Sequence, residues 1–116
     1  MFYEIIANSL IQQDGGDFHL NYELNDAQKE ELIDILTKEL RVLRAKARVS
    51  QQELASRIGV SRQTYGMIET EKQRMAWNHF MALLLLFKSN KGTAEIIDRI
   101  GGCPKELDLY LKLEGK

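Results

Sequence analysis

Eight consecutive apolar residues, F-M-A-L-L-L-L-F at positions 80–87, constrain this chain more than any other feature. The segment from Trp77 to Phe87 reads as a helix, and a helix that is apolar all round must be covered on every side. The rest of the chain therefore has to supply several packing partners. With 116 residues, 44% apolar and 28% charged, it can build one core and little beyond it. One proline and eight glycines exclude a fibrous or compositionally disordered chain.

Those partners are legible as helices. Asn25 can cap, with Gln28 as its capping-box partner, and Leu32, Leu36, Leu40, Leu43 and Ala47 follow at helical spacing. A long helix is expected over 26–47, and a bend or interruption near Thr37 is compatible with the pattern. Ser50-Gln51-Gln52-Glu53 is a second capping box, leading into Leu54, Ala55 and Ile58, and Gly59 ends that helix in a tight turn. Ser61 caps a third helix through about Glu69, and residues 70–74 form a polar loop. Beyond the apolar helix, two short ones are expected, over 93–100 and, with Pro104 in the first turn, from 104 to about 113. At the other end, Phe18, Leu20, Tyr22 and Leu24 alternate with Asp17, His19, Asn21 and Glu23, a half-buried strand pattern. Before it, Tyr3, Ile6 and Leu10 suit a helix, or a hairpin through Asp14-Gly15-Gly16. A lone strand or hairpin is marginal, so this part is expected to pack on the helices or pair with another chain.

Several function classes find no support. Cys103 is the only cysteine, which excludes an internal disulfide and points to a reducing cytoplasm. No apolar run reaches the roughly 18 residues of a membrane span, and the start, with Glu4 and no basic region, does not read as a secretion signal. His19 and His79 accompany no nucleophile or metal motif, and there is no Gly-rich phosphate loop, so no enzyme activity, cofactor or metal is expected. His79, between Trp77 and Phe80, reads as a surface or partly packed side chain, and Cys103, between Gly102 and Pro104, as a loop residue.

The net charge of −1 divides unevenly. Residues 1–37 carry one Lys against eight acids (−7), residues 38–74 nine bases against four acids (+5), and residues 75–116 six bases against five acids (+1). The basic block surrounds the helices at 51–58 and 61–69, which raises the case for nucleic acid, though such a block is often only a solvated face.

Two short helices joined by Gly59-Val60-Ser61 have the punctuation of a helix-turn-helix, with Ala55 small at their crossing and Leu54, Ile58, Val60 and Ile68 facing inward. The spacing alone fits an ordinary helical hairpin equally well. The segment L-R-V-L-R-A-K-A-R-V-S-Q-Q-E-L-A-S-R-I-G-V-S-R-Q-T-Y-G-M-I-E, residues 40–69, resembles the Cro/repressor-type helix-turn-helix domains of the XRE family of transcriptional regulators. The likeness continues through Arg74-Met75-Ala76-Trp77 and covers about 38–88. It implies an all-α fold, a lambda-repressor-like helix-turn-helix bundle over 25–88. An N-terminal extension over 1–24 and extra C-terminal helices over 89–116 would pack around it.

The resemblance also implies roles. In such domains the second helix enters the major groove and its N-terminal residues meet base edges. Here these are Ser61, Arg62, Gln63 and Thr64: Arg can pair with guanine, Gln with adenine, and the Thr methyl can touch thymine. Met67, one turn on, could make an apolar base contact. Gln51, at the start of the preceding helix, is expected to grip a phosphate and brace the next helix. Lys72, Arg74 and the helix start at Trp77 and Asn78 are candidate backbone contacts; a solvated loop is the competing reading for the first two. Arg44 and Glu69 match a family ion pair, so Arg44 is assigned to structure rather than to phosphate. Tyr65 is expected to fill the core with its hydroxyl at the rim, and Gly66 leaves a side chain missing where related domains often touch phosphate.

Double-stranded DNA is the expected partner, bound by a homodimer in the cytoplasm. The alternative is an antitoxin or adaptor that uses the same scaffold mainly for a protein partner, motivated by the strand-like 17–24 and the apolar surface of 80–87.

Overall fold

The structure, a computed structural model, describes residues 23–113. Among these residues there are six helices and no strand. They are α1 (Asp26–Ala47), α2 (Gln51–Ile58), α3 (Arg62–Glu69), α4 (Trp77–Lys88), α5 (Lys91–Ile100) and α6 (Lys105–Leu111). The alternation expected at 17–24 lies outside the described residues apart from Glu23 and Leu24, of which Leu24 is buried in the core. The helix or hairpin expected before it also lies outside them.

Each boundary has a local cause. Asn25 accepts the Gln28 N–H at 2.8 Å while the Gln28 side chain accepts the Asn25 N–H at 2.8 Å. Ser50 and Glu53 repeat the arrangement at 3.0 Å in both directions. Gly59, with φ +82°, closes α2 in the left-handed region. No break occurs at Thr37. Its hydroxyl donates to the Ile33 carbonyl one turn back, at 2.7 Å, so the polar side chain is satisfied inside a continuous α1.

The last two helices differ from expectation. α5 begins two residues earlier, because Asn90 is the cap and accepts the Thr93 N–H. Thr93 itself is buried and its hydroxyl donates to the Phe87 carbonyl, tying α5 to the end of α4. Pro104 stands before the first turn of α6, in extended geometry, and the helix stops at Leu111.

Leu32, Leu36, Leu40 and Leu43 of α1 form a fully buried stripe. Each such leucine contributes about 1.5–3 kcal/mol of burial, against about 1 kcal/mol for a cap. The stripe therefore holds α1 down, and the caps set where it starts. Leu54 and Ala55 of α2, Tyr65 and Ile68 of α3, Phe80, Leu83, Leu84 and Phe87 of α4, Ile96 and Ile97 of α5, and Leu107 of α6 complete one core. The apolar helix is not covered all round: Leu85 is 69% exposed. The other seven residues of the run are buried or half-buried, and Leu85 is left facing outward.

The turn between α1 and α2 uses an unusual residue. Arg48 caps α1 with φ +59°, in the left-handed region. A side chain there costs about 1–2 kcal/mol, part of which glycine would return through its greater freedom when unfolded. Arg48→Gly should raise stability by roughly 1 kcal/mol in chemical denaturation. An unchanged or lower midpoint would mean that the arginine side chain makes a compensating contribution.

Candidate nucleic-acid interface

The polar surface of interest is built on α2 and α3. Ser61 accepts the Thr64 N–H and its hydroxyl donates to the Thr64 Oγ1, both at 3.0 Å. This fixes the first turn of α3 in which Arg62 and Gln63 are exposed and Thr64 is half-buried. Met67, one turn further, is half-buried. Tyr65 and Ile68 point the other way, both with no exposed surface. The Tyr65 hydroxyl is therefore inside rather than at the rim. It lies near Glu69 and Arg44 but outside hydrogen-bond geometry, and burial, with Glu69 beside it, pushes its pKa up.

The far end of α3 is fixed by one carboxylate. Arg44 of α1 donates to Glu69 through Nε at 3.0 Å and through Nη2 at 2.9 Å, a bidentate pair. Gln51, the first residue of α2, donates its amide to Glu69 Oε2 at 3.3 Å. Arg41, largely exposed, reaches the same oxygen at 3.5 Å. Arg41 was not singled out from the sequence, although its position one turn before Arg44 places it on the same helix face. Burial alone would raise the Glu69 pKa. Arg44 hydrogen bonds, the Tyr65 hydroxyl, the Arg44 charge and Gln51 outweigh it, and the carboxyl is held below its usual range.

Beyond α3, the N–H groups of Lys72 and Gln73 both donate to the Met67 carbonyl, at 2.8 and 3.1 Å, and Glu71 turns the chain with φ +63°. Lys72 and Asn78 are exposed. Arg74 is engaged by α1: its guanidinium donates to Asp34 Oδ1 at 2.7 Å and to the Glu30 carbonyl at 3.0 Å, and it pairs with the Glu30 carboxylate. Trp77 is also engaged internally. Its ring stacks on Phe80 at 4.8 Å, meets Tyr110 edge-on at 6.2 Å, and carries the Lys29 ammonium at 5.3 Å. The structure thus brings Gln51, Arg44 and Glu69 together and gives Arg74 two partners on α1, Glu30 and Asp34.

Away from these residues in sequence, Met81, Ala82, Leu84, Leu85 and Leu111 line an open groove of about 560 Å³ between α4 and α6. Cys103 is at its edge, within reach of Lys88 at 3.5 Å, and burial pushes its thiol pKa up. Among the described residues no group of three or more His, Cys, Asp or Glu side chains could hold a metal ion. No helix among them is long and apolar enough to cross a membrane.

The family model of the helix-turn-helix domain matches residues 35–86, a span that runs from the middle of α1 to near the end of α4 and contains α2, α3, Arg44 and Glu69, though not Glu30 and Asp34. No curated protein and no solved structure matches the chain.

Removing Arg44 would leave a buried carboxylate without its main partner. Arg44→Ala should cost about 3 kcal/mol at pH 7. Because the folded-state pKa of Glu69 is depressed, its stabilisation is present above the ordinary carboxylate range and fades as pH falls through the folded value. The stability gap between parent and variant should therefore narrow toward acid. Urea titrations at pH 7 and pH 4 check this, and equal stability at pH 7 would remove the pair from its structural role.

Proposed function

We propose that the protein, whose residues 35–86 match a helix-turn-helix domain, is a transcriptional regulator of the Cro/repressor type binding double-stranded DNA sequence-specifically. The observation that carries this reading is the division of α3 into two faces. Tyr65 and Ile68 are wholly buried and Glu69 is clamped, while Arg62 and Gln63 stand exposed on a first turn fixed by Ser61. In this reading α3 lies in the major groove, Arg62 and Gln63 make bidentate contacts to base edges, and Thr64 and Met67 add apolar contacts.

Gln51, Lys72 and Asn78 supply backbone contacts and salt dependence. Arg74 is the weakest of the residues assigned to DNA, since its charge is already met by Glu30 and Asp34. Arg44 and Glu69 hold α3 in place without touching DNA.

Operators of two half-sites call for two copies, and the groove between α4 and α6, with Leu85 and Leu111 exposed beside it, supports a homodimer through this face. The same groove supports the second reading, an antitoxin or adaptor whose main partner is a protein.

Two measurements separate them. DNA selected from a random pool should be bound, and the double variant Arg62→Ala with Gln63→Ala should lose about 2–6 kcal/mol of binding free energy while keeping its stability within about 0.5 kcal/mol. No salt-dependent binding to any DNA would favour the adaptor. Leu85→Glu should shift the chain to monomers in sedimentation and weaken binding to two-half-site DNA; an unaffected dimer would place the interface elsewhere.

A further inference from the structure

Arg41 is the second arginine on Glu69, and the carboxylate is well served without it. Glu69 already receives three hydrogen bonds, two from Arg44 at 3.0 and 2.9 Å and one from Gln51 at 3.3 Å. Arg41 comes only as near as 3.5 Å, through Nε, and its guanidinium makes no hydrogen bond among the described residues. Its side chain is 69% exposed, against 25% for Arg44. An ion pair as open as this contributes little to stability. The fold thus holds a guanidinium in place and leaves its five N–H donors unused.

The place is a definite one. Thr37, Lys38 and Arg41 of α1, with Glu69, Thr70 and Glu71, line an open polar cleft of about 300 Å³ at the C-terminal end of α3. Thr70 is exposed and follows Gln63 and Met67 at helical spacing, so the cleft continues the polar side of α3. With eight residues α3 is about 12 Å long, close to the width of a major groove. When its first turn meets base edges, its last residues stand level with the sugar–phosphate strand that borders the groove. That end of a helix repels an anion through its dipole, and Glu71 adds a negative charge. Arg44 is spent on Glu69, and Lys38, one turn after Asp34 on α1, is partly met there. Arg41 is the cation of the cleft with donors to spare.

We propose that Arg41 is a DNA-backbone contact: its guanidinium takes a phosphate of the strand that borders the major groove at the C-terminal end of α3, in the cleft it shares with Thr70. The inference rests on the reading of α3 as the groove-binding helix.

The test uses the full chain and DNA selected by the parent protein from a random pool. Arg41→Ala should bind that DNA about tenfold more weakly near 0.1 M salt and lower the slope of log affinity against log salt by about one, with base preference unchanged. Its melting temperature should stay within about 3 °C of the parent's, and Arg41→Lys should restore the slope. Arg99→Ala, which removes an exposed arginine from α5, should leave the slope alone. A parental slope in Arg41→Ala, or an equal change in Arg99→Ala, would overturn the contact while leaving the DNA-binding reading intact. A melting temperature as low as that of Arg44→Ala would overturn it too, by making Arg41 a structural partner of Glu69. Failure of the parent to bind any DNA would remove the reading and the contact together.

Discussion

Glu69 sits where three helices meet, with 2% of its side chain exposed. A carboxylate at the last residue of a helix is doubly disfavoured, by burial and by the negative end of the helix dipole. It is tolerated here because α1 sends Arg44 and Arg41 to it and α2 sends Gln51. Apolar packing could supply comparable stability, but apolar surfaces slide over one another. A bidentate Arg–carboxylate pair has one geometry, and it fixes how α3 is inclined against α1. The exposed first turn of α3 inherits its orientation from this buried pair.

The rest of the electrostatics follows the same division. The basic block at 38–74 carries +5, yet Arg44 and Arg74 face acids of the fold itself. Arg74 joins the loop after α3 to Glu30 and Asp34, so the acidic first half of α1 is partly neutralised by the basic block that follows it in sequence. Charge counted along a sequence thus overstates the charge a surface presents. Arg62 and Lys72 are exposed basic side chains of α3 and the loop after it with no acid partner among the described residues.

Features set by neighbours in sequence were legible. The capping boxes of α1 and α2, the Ser61 cap and the Gly59 turn each involve near neighbours in sequence, and the starts of α1, α2 and α3 and the end of α2 follow from them. Features set across the fold were not. The Arg74 clasp spans forty residues, and no periodicity distinguishes an arginine reaching α1 from one reaching a phosphate. The burial of the Tyr65 hydroxyl and the exposure of Leu85 depend on where α1 and α6 lie, which a run of apolar letters does not specify. The Arg44–Glu69 pair was named only through resemblance; the sequence itself shows an Arg on a basic face.

α1 is a single helix of 22 residues, about 33 Å long, and it grips α3 and the loop after it at two places: near its C-terminus through Arg44 and near its N-terminus through the acids that hold Arg74. A lever fastened at two points cannot rock. In the DNA-binding reading proposed above, tilting α3 in the groove would mean breaking these contacts or tilting the whole domain with it. On DNA, a misfit of that kind would have to be absorbed by bending or twisting the duplex. Sequence steps that no side chain touches would then weigh in the choice of site through their stiffness alone.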